Sequence, residues 1–558
     1  MKSTESSTYD YVVVGAGSAG AIIAARLSDD ADVSVLLLEA GPDDGAFTIR
    51  MPAAVSINIK RNRYNWQFRT EPQAALGGRT LYQPRGKVLG GSSSLNGMIF
   101  IRGHALDYDR WVDEGATGWS YTDVVPYFKR IEDFCEGADP YRGVGGAIPV
   151  TRGWASSPLH AAFIEAGQQA GHPLSADVNG RQQHGVSYFD KNIKGGERWS
   201  TSRGYLAPRR SRSNLQILTN VAVQRVIFDK RTATGVEVSF DGGTQRFSAA
   251  REVILCAGTF NTPKILMLSG VGKADDLKRL AIPVIEDLPD VGANLQDHTE
   301  VHVQYRCTQP ITLFRELKPL KKLYNGIHWL IDRGGQAATN HYDTGAFLFA
   351  DDSAPHPDCQ LHFVPIVYNN SVERRVDCHG FRVHAGPMRP LSRGSVSLRS
   401  ADPRDPPVIQ PNYFTEAKDW CNMRRIVDLS RDIFAQKAFD AFRGPEMSPG
   451  AGVRDRGAMD DFIREWGDTG YHPSSTCRMG TDDRAVVAPD GSVRGVTGLR
   501  ICDASIMPSI VSGNLNAPVM MMAEKISDLI RGRQPLPPER VSVVARAGEK
   551  CQTEEAST

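Results

Sequence analysis

The fold is decided by residues 9–41, YDYVVVGAGSAGAIIAARLSDDADVSVLLLEAG. The runs YVVV and VSVLLL are apolar throughout, which is typical of strands buried on both faces of a parallel sheet. Between them, Gly15, Gly17 and Gly20 have the spacing GxGxxG, which predicts a tight turn that leads into a helix. Glu39 ends the second run, where a carboxylate can accept hydrogen bonds from a ribose. The stretch therefore predicts a dinucleotide-binding unit, without separating FAD from NAD.

The composition is that of an ordinary globular protein. Of 558 residues, 41% are hydrophobic and 23% charged, which excludes a mostly disordered chain, a coiled coil and a collagen-like chain. The 65 basic and 64 acidic residues leave a net charge of +1, so we expect no nucleic-acid partner. The nine cysteines form no CxxC pair, so we expect no metal site.

The start of the chain has no signal-peptide pattern, and no apolar run reaches the roughly 18 residues of a membrane span. We therefore expect a cytoplasmic protein without a transmembrane segment. A peripheral contact with the inner face of the membrane stays open, as does the oligomeric state.

The sequence predicts two domains that alternate along the chain. Buried-strand patterns return at residues 252–258 and 499–508, far from the first stretch. Residues 306–464 instead show a helical pattern followed by alternating segments such as QLHFVPIVY, FRVHAGPM and GSVSLRS, which predict a mostly antiparallel sheet with helices on one side. We predict a discontinuous α/β domain (9–155, 214–305 and 465–533), an inserted α+β substrate domain (156–213 and 306–464) and a surface or partly disordered C-terminal extension (534–558).

Four more motifs follow the first in order. At 86–96, GKVLGGSSSLN has two adjacent glycines and three serines, so it offers several N–H groups and hydroxyls. A flavin dinucleotide would need such a second loop, whereas a simple NAD domain would not. The remaining motifs are GTFNTP at 258–263, YHPSSTCRMG at 471–480, and the pair DAS at 503–505 and GNLNAP at 513–518.

These five ordered motifs resemble the glucose–methanol–choline (GMC) flavin oxidoreductases, and the likeness runs from Tyr9 to about Arg533. Within the family it is strongest to the bacterial choline dehydrogenases, as in RNRYNWQFRTEP and NYFTEAKDW. The resemblance implies a Rossmann-like FAD-binding domain of the GMC type with an inserted substrate domain. It also implies oxidation of an alcohol to an aldehyde or ketone, with hydride transfer to flavin N5.

The resemblance assigns roles residue by residue. Its FAD-binding positions are Gly15, Gly17, Gly20, Glu39, Gly90, Gly91, Ser92, Asn96, Met98, Val223, Asp503, Ala504 and Asn516. His472 matches the catalytic base, and Asn514 matches the second member of the catalytic pair. An imidazole can take the hydroxyl proton near neutral pH, and an Asn side chain can hydrogen-bond a developing alkoxide. Leu95 stands where some relatives carry the His that links FAD covalently, so we expect non-covalent FAD.

The substrate is less clearly indicated. Asp343 lies in the segment that matches the Glu facing the trimethylammonium group in choline-oxidising relatives, and Tyr471 matches an aromatic residue of that site. Asp is one methylene shorter, so aliphatic, aromatic and polyol alcohols remain alternatives, and Asp343 can equally be a helix cap or salt-bridge residue. Rival functions on this scaffold are a lyase or decarboxylase and a flavin-binding protein without catalysis. A quinone or other carrier, or oxygen, is expected as electron acceptor.

Overall fold

The computed structural model describes residues 8–240, 242–369, 374–375 and 377–546, and two seven-stranded sheets organise it. The first sheet contains both strands of the Gly-rich stretch. Thr8–Val14 lies between Val35–Glu39 and Gly243–Leu255 and runs parallel to both. Across the sheet the strands are Leu215–Thr219, Val35–Glu39, Thr8–Val14, Gly243–Leu255, Thr232–Phe240 and Ala222–Asp229, with Leu499–Ile501 also paired to Gly243–Leu255. The predicted α/β domain with widely separated pieces is confirmed.

Two helices pack together beside this sheet. Ser18–Leu27 follows the first strand, and its Ala- and Ile-rich sequence is almost wholly buried. Asn516–Ile530 comes from the far end of the chain and packs against it. Each helix begins at the carboxyl edge of the parallel strands, where α/β proteins bind their ligands.

The second sheet is antiparallel throughout. Its main strands lie in the order Arg443–Ser448, Thr299–Cys307, Gly380–Pro387, Cys359–Val364, Thr344–Leu348 and Gly185–Tyr188, with Asp468–Thr469 paired to Thr299–Cys307. The helices Pro158–Gln169 and Ala417–Ala435 pack on one face and form an apolar core with it. An antiparallel sheet with helices on one side is what the alternating segments predict, and it is confirmed.

The opposite face of the second sheet is polar and lines a cavity. Side chains alternate between the two faces of a strand, so Val301 and Val303 enter the apolar core while Glu300 and His302 face the cavity. The neighbouring strands send His362, Arg382 and His384 to the same wall. This polar face therefore positions much of the chemistry described below.

Two segments differ from the predicted organisation. GSVSLRS does not join the second sheet. Its strand Ser395–Ser397 pairs with Val408–Gln410 in a separate hairpin, because Val396 packs with Phe260 and Leu295 instead. In addition, Thr299–Cys307 belongs to the second sheet, so the domain limit that we predict at residue 305 falls inside a strand. The exact domain limits stay a prediction.

The C-terminal segment is partly described. Residues 534–546 contain no helix or strand, and Leu536, Val541 and Val543 pack against the first core. The backbone N–H of Glu539 donates to Thr122, and that of Val544 donates to Arg181. The rest of the predicted extension, 547–558, lies outside the described residues.

Further helices and strands complete the fold. The other helices and helical turns are Phe47–Arg50, Pro52–Ala54, Val55–Ile59, Ala74–Leu76, Gly91–Ser94, Ala105–Asp113, Tyr121–Ile131, Ser202–Leu206, Ala207–Arg209, Gly258–Leu268, Ala274–Arg279, Leu313–Leu317, Pro319–Asp332, Gly335–Ala338, Lys437–Phe439, Arg456–Trp466 and Ala504–Ile506. The other strands are Phe68–Arg69, Tyr82–Gln83, Glu132–Phe134, Ile148–Arg152, Asp190–Lys191, Ile193–Lys194, Glu197–Arg198, Val271–Gly272, Glu286–Asp287, Tyr368–Asn369 and Arg374–Arg375. Across the part of the chain that the structure describes, no helix combines the length and apolar character that crossing a bilayer requires.

Candidate active site

One cavity of about 1490 Å³ collects nearly all of the predicted site residues. It exceeds the ~300–1,000 Å³ typical of a single small-molecule pocket, as a dinucleotide together with a substrate requires. The predicted residues that line it are Gly15, Gly17, Glu39, Gly91, Ser92, Asn96, Met98, Val223, Tyr471, His472, Asp503, Ala504, Asn514 and Asn516. Gly20, Gly90 and Asp343 do not line it.

Two of these three still have clear roles in shaping the wall. A Cβ on Gly20 would lie 1.9 Å from the carbonyl oxygen of Gly15, so only glycine lets the helix approach the first strand. Gly90 has φ +84°, a left-handed conformation that favours glycine and turns the second loop. The next residue brings the two glycine loops together, because a Cβ on Gly91 would lie 2.6 Å from Gly17 Cα. Both loops therefore present bare backbone to the cavity.

The dinucleotide part of the cavity has the charges that such a ligand needs. Glu39 accepts hydrogen bonds from the N–H groups of Ala16 and Gly41, both at 2.9 Å. Burial raises the pKa of Glu39 to about 7 against those two bonds. Ser18 Oγ donates to Asn516 Oδ1 at 2.7 Å, which joins the first turns of the two packed helices. Two positive helix ends thus meet at one place, which suits a pyrophosphate.

The second glycine loop and the late DAS segment complete this region. Ser92 Oγ accepts from the N–H of Gly86 at 3.1 Å, and Asn96 Oδ1 accepts from the N–H of Met98 at 3.1 Å. Asp503 accepts from the N–H of Gly258 at 2.9 Å, which ties the third motif to the fifth. Bonds between distant motifs therefore hold the cavity wall in shape.

His472 is held in one tautomer by a chain of hydrogen bonds. Burial lowers the pKa of His298 to about 4, so its ring is neutral. Its Nε2 donates to the carbonyl oxygen of Met388 at 2.9 Å, and its Nδ1 therefore accepts from His472 Nδ1 at 3.0 Å. The lone pair of His472 is left on Nε2, 3.1 Å from Asn514 Nδ2. The structure thus aims a basic nitrogen at the other member of the predicted pair.

The surroundings keep this base neutral and fixed. Burial, reinforced by the nearby imidazoles of His298 and His362, holds the pKa of His472 well below its ordinary value. The backbone N–H of His472 donates to Asp297 Oδ1 at 2.7 Å, and Thr469 Oγ1 donates to Asp297 Oδ2 at 2.7 Å. His298 lies outside the motifs quoted from the sequence, yet it contacts the candidate base directly.

Asn514 is oriented in the same way. Its Oδ1 accepts from Gln360 Nε2 at 3.3 Å and from His362 Nε2 at 3.4 Å. Both donors stand on the polar face of the second sheet, on the strand Cys359–Val364. The amide nitrogen is therefore directed toward His472, and the substrate wall fixes the geometry of the catalytic pair.

A half-buried carboxylate that sequence reasoning missed, that of Glu300, lies on this wall. Glu300 Oε1 accepts from His384 Nδ1 at 2.8 Å and from His302 Nε2 at 3.1 Å. Although burial opposes ionisation, the two imidazoles hold the pKa of Glu300 well below its usual range. One carboxylate oxygen of Glu300 and one ring nitrogen each of His302 and His384 lie within 4.8 Å of one another, close enough to bind a divalent cation. Arg382 donates a hydrogen bond to His302, however, and its positive charge opposes a cation at this place.

Three aromatic residues line the same cavity, and two of them, Tyr342 and Tyr471, lie near the charge of Glu300. Trp66, Tyr342 and Tyr471 line the cavity, and the charge of Glu300 helps burial to raise the pKa of both tyrosines. Asp468 also lines it, and burial raises its pKa to about 7, with the charge of Glu300 acting in the same direction. The wall therefore combines aromatic faces with negative charge.

Asp343 occupies a different place from the one predicted. It is fully buried, forms an ion pair with Lys191 and accepts a hydrogen bond from Ser156. His160 Nε2 lies 3.4 Å from it. Because its charge is already matched inside the protein and it does not line the cavity, this geometry does not support contact with substrate. Tyr471, the other predicted substrate residue, does line the cavity beside His472.

Comparison with known proteins shows the family to which this chain belongs. The GMC oxidoreductase family model matches residues 9–300 and 390–523, which together form most of the chain. The chain belongs to the GMC oxidoreductase family. Its members include the mitochondrial choline dehydrogenase of Homo sapiens, 49% identical over 537 residues that cover 95% of this chain and 90% of that protein. The oxygen-dependent choline dehydrogenase of Brucella canis is 46% identical, covering 94% and 96%.

Solved GMC structures share the architecture. Pyridoxine 4-oxidase from Mesorbium loti superposes with a TM-score of 0.86 at 33% identity, covering 94% of this chain and all of that one. A variant of formate oxidase from Aspergillus oryzae RIB40, studied for FAD modification, gives 0.88 at 27% identity and covers 95% and 99%. The protein is an FAD-dependent alcohol oxidoreductase of the choline-dehydrogenase type, so the predicted family, enzyme class and cofactor are confirmed.

The residues present fit FAD on their own chemistry. Two bare glycine loops allow close approach to a pyrophosphate, two helix N-termini favour its charge, and Glu39 suits a ribose. The cavity then continues to His472 and Asn514, as a flavin with a reacting face requires. The separate role of each residue remains the one that the resemblance implies.

Proposed function

We propose that this protein oxidises choline to the corresponding aldehyde, with His472 as the base and Glu300 as the partner of the trimethylammonium group. The observation that carries the proposal is an ionised, half-buried Glu300 that lines the same cavity as the neutral imidazole of His472. A carboxylate whose hydrogen bonds come from neutral imidazoles keeps its full negative charge. Such a site favours a cation over a neutral alcohol.

In this proposal the catalytic pair acts on the hydroxyl group. The lone pair on His472 Nε2 accepts the hydroxyl proton, and the His298 hydrogen bond holds the ring in the tautomer that allows this. Asn514 Nδ2 donates to the oxygen as negative charge grows on it. The chemistry that FAD supplies when bound is acceptance of the α-hydrogen as hydride.

The second sheet orients the other end of the substrate. A quaternary ammonium group cannot donate hydrogen bonds, so charge and aromatic faces must hold it. Glu300 supplies the charge, Tyr342 and Tyr471 supply aromatic faces near it, and Trp66 lines the same cavity. Arg382 stands on the same wall, so an anionic alcohol is the alternative that its charge would favour.

An anaerobic mixing experiment tests this substrate. The purified yellow holoenzyme is mixed with choline and, separately, with 3,3-dimethylbutan-1-ol, which replaces the quaternary nitrogen by carbon. We expect choline to bleach the flavin absorption quickly and the neutral isostere to do so much more slowly. Bleaching by octanol, benzyl alcohol or glycerol but not by choline would transfer the function to a neutral alcohol.

For the acceptor we propose a quinone. The two electrons and two protons removed from the alcohol reduce it to the quinol and leave the aldehyde. The relatives named oxygen-dependent choline dehydrogenase make oxygen the alternative acceptor. Turnover measured with a quinone and with oxygen alone separates the two. We further propose that the enzyme is cytoplasmic and touches the membrane only at its surface.

We predict that the FAD is held without a covalent bond. Leu95 occupies the position at which a linking side chain would stand, and it packs with Ile49, Tyr64 and Val88. A saturated side chain has no atom that can bond to the flavin. Precipitation with acid is expected to leave a colourless pellet and a yellow supernatant. A yellow pellet after washing would contradict the prediction.

We also predict that choline affinity rises with pH. The pKa of Asp468 is raised to about 7 by burial and by Glu300, so the group is neutral below that pH and ionised above it. Each ionisation adds negative charge to the wall around the cation, so KM for choline should fall severalfold between about pH 6 and pH 8. KM for 3,3-dimethylbutan-1-ol should stay flat, and Asp468→Asn should flatten the choline profile. A choline profile that is unchanged in the variant would exclude Asp468 as the cause.

A further inference from the structure

The helix Pro319–Asp332, here called the outer helix, exposes an apolar stripe. Its exposed large hydrophobic residues are Leu320, Leu323, Tyr324, Ile327, Leu330 and Ile331. Leu320 is 84% exposed and Ile331 79% exposed. The spacing of three and four residues puts all six on one side of the helix. Of the thirteen large hydrophobic residues exposed within the described part of the chain, nearly half lie on this single helix.

This stripe faces outward in an ordered, anchored helix. The buried residues of the helix are Asn325 and Trp329, and Trp329 packs in a small apolar cluster with Met51, Ala54 and Ala337. Trp329 Nε1 donates to the carbonyl oxygen of Gly196 at 2.7 Å, and Asn325 Nδ2 donates to Glu316 Oε2 at 3.0 Å. Arg333 closes the far end by stacking on Trp329 at 4.3 Å. The inner side of the helix is thus held by the protein, and the apolar stripe on its outer side is exposed to solvent.

Basic residues accompany the stripe. Lys318 precedes the helix, Lys321 and Lys322 lie in its first turn, and all three are exposed. The first turn contains no acidic residue, although positive charge there opposes the helix dipole. The chain as a whole is close to neutral at +1, so this basic cluster is a local feature. A surface that carries both apolar side chains and lysines is complementary to an anionic lipid bilayer.

We propose that the outer helix docks the protein on the surface of an anionic bilayer, with its apolar stripe in the interface and Lys318 and Lys321 among the lipid phosphates. The helix is 14 residues long and lies flat, because Asn325 and Trp329 fix its inner side to the protein. Lys322, Asn325 and the preceding Leu317 also line the active-site cavity. Docking there places the bilayer beside the cavity that holds the reduced cofactor. That consequence rests on the proposed quinone acceptor, whereas the docking itself does not.

A flotation experiment tests the docking without substrate. The FAD-loaded enzyme is mixed with vesicles of phosphatidylcholine alone or with about 30 mol% phosphatidylglycerol and spun through a density gradient. We expect the wild type to float with the anionic vesicles and much less with the neutral ones, and high salt to weaken the binding. Wild-type protein that stays at the bottom with both vesicles would overturn the proposal.

Matched variants locate the surface. Leu330→Glu alters the stripe, while Leu391→Glu alters a leucine of the same exposure, 51% against 50%, outside the outer helix. We expect Leu323→Glu/Ile331→Glu to reduce vesicle binding at least about tenfold, Leu330→Glu to reduce it in part and Leu391→Glu to leave it unchanged. Lys318→Gln/Lys321→Gln should remove the preference for anionic lipid. Equal loss in Leu330→Glu and Leu391→Glu would contradict this assignment.

Two further readouts separate the remaining outcomes. Flavin absorption and choline turnover with a water-soluble dye acceptor should be the same in the stripe variants and the wild type, which shows that they fold. If instead the wild type is a dimer that Leu323→Glu/Ile331→Glu converts to a monomer, and neither floats, then the stripe is a subunit interface and the proposal fails. Failure to oxidise choline would overturn the proposed function while leaving the flotation result intact.

Discussion

Replacing His472 by Gln is expected to slow anaerobic reduction of the flavin by choline about 10²–10⁴-fold, the usual contribution of a positioned base. Gln can still hydrogen-bond to Asn514, but its amide cannot accept a proton. The wild-type base is neutral because burial and the imidazoles of His298 and His362 hold its pKa well below the ordinary histidine value. The measurement is the limiting bleaching rate at saturating choline in a stopped-flow instrument.

The pH dependence of this bleaching rate tests whether the neutral form of His472 is the active one. Activity requires the neutral ring, so the wild-type rate should fall only as pH drops through the lowered pKa of His472, below about 6.5. His472→Gln should lose this acidic limb together with the rate. His379→Gln is the control, because His379 is a histidine of the substrate domain that hydrogen-bonds Thr312 and does not line the cavity. A bleaching rate in His472→Gln equal to that of the control would remove His472 from the base role.

The flavin-binding half of the site was the part that the sequence could predict. Its features are local: a strand, a turn of three glycines and a helix follow one another within residues 9–41, so their spacing alone fixes their geometry. Some of these positions also accept only glycine for steric reasons. At Gly20, for example, a Cβ would lie 1.9 Å from the carbonyl oxygen of Gly15. Motifs far apart in the chain, such as those containing Gly258 and Asp503, were placed together only by the resemblance and are joined by a hydrogen bond.

The substrate half was harder because an antiparallel sheet builds it. Glu300 and His384 meet across two paired strands, 84 positions apart in the chain, and nothing local connects them. The alternation in EVHVQY puts Glu300 and His302 on one face of a strand, but it does not show that this strand pairs with the one containing His384 or that the face lines the cavity. Asp343 was chosen on residue type within a matching segment, and its buried partner Lys191 could not be read from spacing.

Replacing Glu300 by Gln is expected to lower kcat/KM for choline about 10²–10³-fold, mostly through KM. Removing one member of a buried, fully desolvated charge pair costs about 2–5 kcal/mol, and each 1.4 kcal/mol is about a factor of ten. Gln keeps the size of the side chain and can still accept from His302 and His384, so the change is one of charge. The kcat/KM for 3,3-dimethylbutan-1-ol should change little, because its neutral tert-butyl group gains no attraction from the charge of Glu300.

The ratio of kcat/KM for choline to that for the neutral isostere is therefore the decisive measurement. Glu316→Gln is the matched control, because Glu316 also lines the cavity but is held by Asn325 and Arg315. That variant should keep the wild-type ratio. Asp343→Asn should also keep it while lowering the melting temperature, because Lys191 would lose its buried partner. If Asp343→Asn instead collapsed the ratio and Glu300→Gln preserved it, the cation would bind through Asp343, and the sheet wall around Glu300 would serve only to hold Asn514 and His472 in place.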